Sequence, residues 1–75
     1  MVTVYTKNGC QACEAAKRFL VKRDVVFNVV NVDEVPAARE MLVGRGFSQM
    51  PVVDPGGVGG WFSGFNPDRL RRLAA

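Results

Sequence analysis

At Cys10 the sequence changes its period. Before it, Val2, Val4 and Thr6 alternate with Thr3 and Tyr5 in a β-branched and aromatic run, the pattern of a strand. Lys7, Asn8 and Gly9 follow with turn chemistry. From Cys10 onward Ala12, Ala15, Ala16, Phe19 and Leu20 recur at helical spacing, with Glu14, Lys17, Arg18 and Lys22 largely opposite. That spacing predicts an amphipathic helix of about three turns. Two thiols, in the order Cys10-Gln11-Ala12-Cys13, therefore sit at the corner of a strand–turn–helix unit.

The rest of the chain extends this unit. Val25 to Val32 is almost continuously apolar, broken by Asn28 and Asn31, and predicts a strand covered on both faces in the middle of a mixed or parallel sheet. Asp33, Glu34, Val35 and Pro36 mark a helix start, with Ala38, Met41 and Leu42 as the buried face and Gly44 and Gly46 as candidate C-terminal caps. Pro51, Val52 and Val53 predict a short strand, Asp54 to Gly57 a glycine-rich turn, and Val58 to Phe62 a returning strand. Asn66 and Pro67 start a last helix as cap and first residue, with Leu70 and Leu73 inward. The order β-α-β-α-β-β-α gives an α/β class with a four-stranded mixed sheet and three helices. Phe19, Phe27 and Phe47 are expected in the core. Trp61 and Phe65 suit either a covered sheet edge or a docking surface for a partner.

Seventy-five residues form one domain, 1–75, without repeat or linker, and 48% hydrophobic residues supply its core. No run of about 18 apolar residues exists to span a membrane. The opening run Met1 to Thr6 has no basic leader, so a cytoplasmic setting is expected. The net charge of +3 is dispersed over Lys17, Arg18, Lys22, Arg23, Arg69, Arg71 and Arg72. Nucleic-acid binding would want a denser stripe with interleaved aromatics, so solvated helix faces are the expectation. With two cysteines and no histidine, the chain alone lacks the about four ligands of a structural zinc site and any histidine base. It also has too few cysteines for a stapled secreted scaffold. No bound cofactor is implied, and a monomer is expected.

The placement of the two cysteines implies chemistry. Unpaired N–H groups and the positive end of the helix dipole stabilise a thiolate at a helix start. Cys10 is expected to be the exposed, attacking thiol, and Cys13, almost a turn further in, the shielded, resolving one. The spacing lets a helical turn bring both sulfurs within bonding distance, so the pair can cycle between dithiol and disulfide. Lys7, three residues before Cys10, is either an exposed turn lysine or a group that favours the thiolate or holds a substrate carboxylate. An inert disulfide would close too short a loop to stabilise much. Half of a metal site completed by another chain is the remaining alternative.

These residues resemble a known family. Thr3-Val4-Tyr5-Thr6-Lys7 followed by Cys-x-x-Cys is similar to glutaredoxins, as is Gln49-Met50-Pro51-Val52-Val53. The stretch Trp61-Phe62-Ser63-Gly64-Phe65-Asn66-Pro67-Asp68 resembles the W-S-G-F-R-P-D signature of NrdH-redoxins, with Phe62 at the tryptophan position and Asn66 at the arginine position. The family carries Gln before the second cysteine, whereas here Gln11 follows the first and Ala12 precedes the second. The resemblance implies a thioredoxin-like fold and a cis Pro51 facing the cysteines, with Met50 offering its backbone to a bound peptide. It implies a dithiol electron donor to ribonucleotide reductase, itself reduced by thioredoxin reductase. Lys7, Gln11, Ala12, Met50, Pro51, Ser63, Gly64 and Phe65 are the expected partner-binding residues. Ser63-Gly64 stands where many glutathione-binding members have two glycines, which counts against glutathione. A glutathione-dependent glutaredoxin, or a dimer sharing an iron–sulfur cluster through Cys10, are the competing functions.

Overall fold

The computed structural model describes residues 1–57 and 59–73. The elements follow in the order β1 (Val2–Thr6), α1 (Gln11–Lys22), β2 (Phe27–Asn31), α2 (Pro36–Gly44), β3 (Val52–Asp54), β4 (Phe62–Ser63) and α3 (Pro67–Arg72). The sheet order is β2-β1-β3-β4. β1 pairs in parallel with β2, from Val2 opposite Phe27 to Thr6 opposite Asn31. On its other side it pairs antiparallel with β3, Thr3 opposite Asp54 and Tyr5 opposite Val52. β3 then pairs antiparallel with β4, Val53 opposite Phe62.

Strand alternation sends side chains to two apolar layers. Val2, Val4, Val53 and Phe62 pack on one face with Ala16 and Leu20 of α1 and Leu70 of α3. Val52 packs on the other face with Leu42 of α2 and with Val32, joined by Tyr5, Phe47 and Trp61. Phe19 and Phe27 lie at the margin of the first layer, half-buried, as Phe47 does in the second. α2 ends as the glycines suggest. Gly44 is its last helical residue, and Gly46 takes φ +91° past the Arg45 cap. The Phe47 N–H reaches the Leu42 carbonyl at 2.9 Å and the Gly46 N–H reaches that of Val43 at 3.0 Å, satisfying carbonyls that the helix end orphans. α3 has only six residues and is far too short to hold alone. The Asn66 side chain caps it, accepting from the Arg69 N–H at 3.2 Å, and Leu70 is fully buried beneath it.

Two expectations are corrected. The apolar run 25–32 is not a central strand: β2 is the sheet edge, Val25 and Val26 precede it, and Val26 and Val29 are 73% and 48% exposed. The reason is topological, because β3 takes the second side of β1 and leaves β2 with one neighbour. The returning strand is Phe62–Ser63, not Val58 to Phe62. Gly59 and Gly60 supply no side chains to pack there, and Val58 lies outside the described residues. α2 begins at Pro36 as expected, with Asp33 and Glu34 in the turn just before it. In the β3–β4 connection Gly56 has φ +86°, and a Cβ there would come within 2.5 Å of the Met1 carbonyl oxygen, so only glycine fits.

Leu20→Ala is expected to cost about 2–5 kcal/mol, since Leu20 is completely buried between α1 and the sheet. Val43→Ala, on the exposed side of α2, is expected to stay within about 0.5 kcal/mol. Urea midpoints of the two variants check the layer assignment.

Candidate active site

The end of β1 and the start of α1 bring the cysteines to the sheet's edge. Cys10 is the N-cap of α1, with extended backbone (φ −101°, ψ 104°), and its Sγ accepts the Cys13 N–H at 3.1 Å. Sulfur thus fills the place that a Ser or Asp oxygen usually takes at a helix start. Cys10 and Cys13 are joined by a disulfide, with Cα atoms 5.2 Å apart. The two sulfurs differ sharply in access: Cys10 is half-buried, while Cys13 is completely buried under the first turn of α1. Gly9, Cys10, Gln11 and Glu14 line a shallow depression over the pair.

From the far side of the chain comes the Met50–Pro51 peptide, which is cis as the resemblance implies. The Met50 carbonyl oxygen lies 3.7 Å from Cys10 Sγ. Pro51 is buried, and its carbonyl accepts the Gly64 N–H at 2.8 Å, which ties β4 to the same corner. The fold therefore gathers Cys10, Gln11, Ala12, Cys13, Met50, Pro51 and Gly64. Ser63 is exposed on β4. Phe65 lies on the flank of α1, 41% exposed and edge-on to Phe19 with ring centres 6.1 Å apart. Trp61 is half-buried in the α2 layer, stacked on Tyr5 at 5.8 Å, with the Arg45 guanidinium 3.8 Å from its ring centre. Among the described residues no group of three or more His, Cys, Asp or Glu is arranged to hold a metal ion.

Lys7 is exposed in the turn before Cys10. That turn is fastened by side chains of the β2–α2 connection, whose patterning marks only a strand end and a helix start. Asp33 accepts the Asn8 backbone N–H at 2.8 Å and pairs with Arg39. The Asn31 side chain donates to Asn8 Oδ1 at 2.9 Å and accepts from the Asp33 N–H at 2.9 Å. The Asn8 hydrogen bond, with lesser help from Arg39 and Lys7, holds the Asp33 carboxyl below its ordinary range against partial desolvation. The sequence-level signal was slight: two Asn and an Asp near strand ends, residues that readily bond to backbone. Thr6, last in β1, has a buried hydroxyl oxygen with no hydrogen-bond partner among the described residues.

With a disulfide across the first turn of a helix and a cis-proline corner facing it, likeness to known proteins becomes informative. Residues 2–58 match the sequence profile of the glutaredoxin family. The glutaredoxin-like protein NrdH of Escherichia coli K12 is 46% identical over 72 residues, covering 96% of this chain and 86% of the relative. The chain belongs to the glutaredoxin family, among its NrdH-like proteins. The NrdH protein of Lactococcus lactis subsp. cremoris MG1363 is 40% identical over 74 residues, covering 99% of this chain and all of the relative. The solved NrdH-redoxin from E. coli superposes with a TM-score of 0.90 at 46% identity, covering 96% of this chain and 92% of that one. That protein is described as a glutaredoxin-like protein with a thioredoxin-like activity profile. The chain is a thiol–disulfide oxidoreductase of this family, and it holds the Cys10–Cys13 disulfide.

Because the Asp33 carboxyl is depressed in the folded state, its contribution is present above the ordinary carboxylate range and is lost as pH falls through its folded value. The stability gap between the parent and Asp33→Ala is therefore expected at about pH 7 and should close near pH 2, read from urea midpoints at each pH. Hydrogen exchange at the Asn8 amide should quicken in the variant at neutral pH.

Proposed function

We propose that the chain is a dithiol electron carrier that is reduced by a flavin-dependent thioredoxin reductase and delivers electrons to ribonucleotide reductase. The carrying observation is the contrast between a reachable Cys10, capping α1, and a completely buried Cys13 bonded to it. Once the disulfide is reduced, the Cys13 N–H and the positive helix end favour negative charge on Cys10 Sγ. The Cys10 thiolate attacks one sulfur of a partner disulfide, and the partner's other sulfur leaves as a thiolate that takes up a proton. The Cys13 thiol loses its proton and attacks Cys10 Sγ, releasing the partner as a dithiol and restoring the Cys10–Cys13 disulfide. Two electrons and two protons pass to the partner in each cycle.

Met50 and Pro51 form the wall against which the partner's chain lies, and Gln11 and Ala12 the exposed and half-exposed surface beside Cys10. The choice of reductant rests on the likeness to NrdH proteins and on Ser63-Gly64-Phe65, where Ser63 replaces the first of two glycines found in glutathione-binding members. In the glutathione-dependent reading, Lys7 would instead hold a glutathione carboxylate. A reducing, cytoplasmic setting accords with a pair that must cycle.

NADPH oxidation separates the reductants. The oxidised protein is expected to turn over rapidly with thioredoxin reductase and slowly with glutathione plus glutathione reductase; the reverse ranking makes it a conventional glutaredoxin. Cys10→Ser should abolish exchange with either. Cys13→Ser should accumulate a mixed disulfide with a protein partner, seen by mass spectrometry, and full turnover of ribonucleotide reductase by this variant would refute the dithiol mechanism.

A further inference from the structure

We infer that the outer edge of β2, with the groove it forms against α1, is a docking surface for an extended acidic segment of a partner protein, which adds to the sheet as a fifth strand. Among the described residues, β2 has β1 on one side and no strand on the other. Sheet edges are commonly protected by lysine, proline or a bulge. β2 reads Phe-Asn-Val-Val-Asn over five residues and carries neither charge nor proline. Its register decides which side chains the edge offers. Phe27 and Val29 stand opposite Val2 and Val4, which face α1, so they face α1 too. Val29 is 48% exposed there and Val21 of α1 is 63% exposed. Between them lies an open groove of about 450 Å³. Every second residue of an added strand would face α1, setting apolar and acidic side chains over this groove while the backbone pairs with β2.

Charge selects the occupant. Lys17, Arg18 and Lys22 line the groove, and the sole carboxylate among the lining residues, Glu14, is already paired with Lys17 at 2.6 Å. Three cations against one carboxylate leave the rim positive and favour an acidic segment. A second copy of this chain is disfavoured. Antiparallel pairing of two β2 edges about a two-fold axis would set both α1 helices on the same face, with their basic rims together. The surface also leads to the cysteines, because Glu14 lines both this groove and the depression at Cys10. That the segment belongs to a redox partner rests on the function proposed above; the strand-addition surface does not.

The test is an amide-resolved NMR titration of the oxidised protein with a ten-residue peptide in which threonine alternates with glutamate or valine in turn, so that glutamates and valines share the face toward α1. Saturable shifts are expected at Phe27–Asn31 and along α1, weakening as salt rises. Val29→Glu should weaken binding by about tenfold or more through like-charge repulsion, and Val29→Thr should retain it. Both variants should reduce a small aromatic disulfide at the parental rate. The inference is overturned if no saturable shift occurs, if a lysine–valine peptide binds equally, or if shifts are confined to Met50–Val52 at the active-site corner. It is equally overturned if β2 amides shift with protein concentration alone, which would make the occupant a second copy. The titration reads binding and not electron transfer, so failure of the NADPH assay and failure of this inference are distinguishable.

Discussion

The parallel pairing of β1 with β2 governs the architecture. Parallel neighbours cannot be joined by a tight hairpin, so the chain must leave the carboxyl end of β1, run back along the sheet and re-enter. The element that makes this return is α1, and its N-terminus must therefore lie at the carboxyl end of β1. That is where Cys10 and Cys13 stand. The reactive pair is placed at the positive end of a helix dipole by the same requirement that builds the sheet. β3, pairing antiparallel on the other side of β1, then delivers the Met50–Pro51 corner to the same end.

Two layers share the work differently. On the α1–α3 face the fully buried Leu20 and Leu70 pack with Val2, Val4 and Val53, and Cys13 is buried on the same helix as Leu20. On the α2 face the packing is more aromatic and more open, with Tyr5, Phe47 and Trp61 only half-buried. Asp33, Asn31 and Arg39 lie where β2 turns into α2, and they fasten the turn that precedes Cys10. The α2 side thus holds the cysteine loop from outside while α1 holds it from within.

Much of this was legible in the residues. The change of period at Cys10, the Asn66-Pro67 helix start and the glycines after α2 each encode a local conformation, and the backbone adopts it. The likeness around Pro51 implied a cis peptide, and the Met50–Pro51 bond is cis. What escaped was relational. An unbroken apolar run such as 25–32 reads the same whether one neighbour or two will flank it, and only the competition of β3 for β1 makes β2 an edge. The returning strand is short because Gly59 and Gly60 have no side chains to commit to the pleat, a point that hydrophobic patterning with Val58 and Trp61 obscured. The Asp33 cluster depends on two loops 25 residues apart meeting, and no periodicity records such a meeting.

Trp61 carries a practical consequence. It is the chain's one tryptophan, and from the connection into β4 it touches two other parts of the fold: Tyr5 of the central strand and Arg45 at the end of α2. An indole stacked on a phenol and covered by a guanidinium has an emission spectrum set by that stack. Intrinsic fluorescence of this protein therefore watches the α2 layer, and loosening of that layer becomes optically visible even while the opposite layer, with its buried cysteine, stays closed.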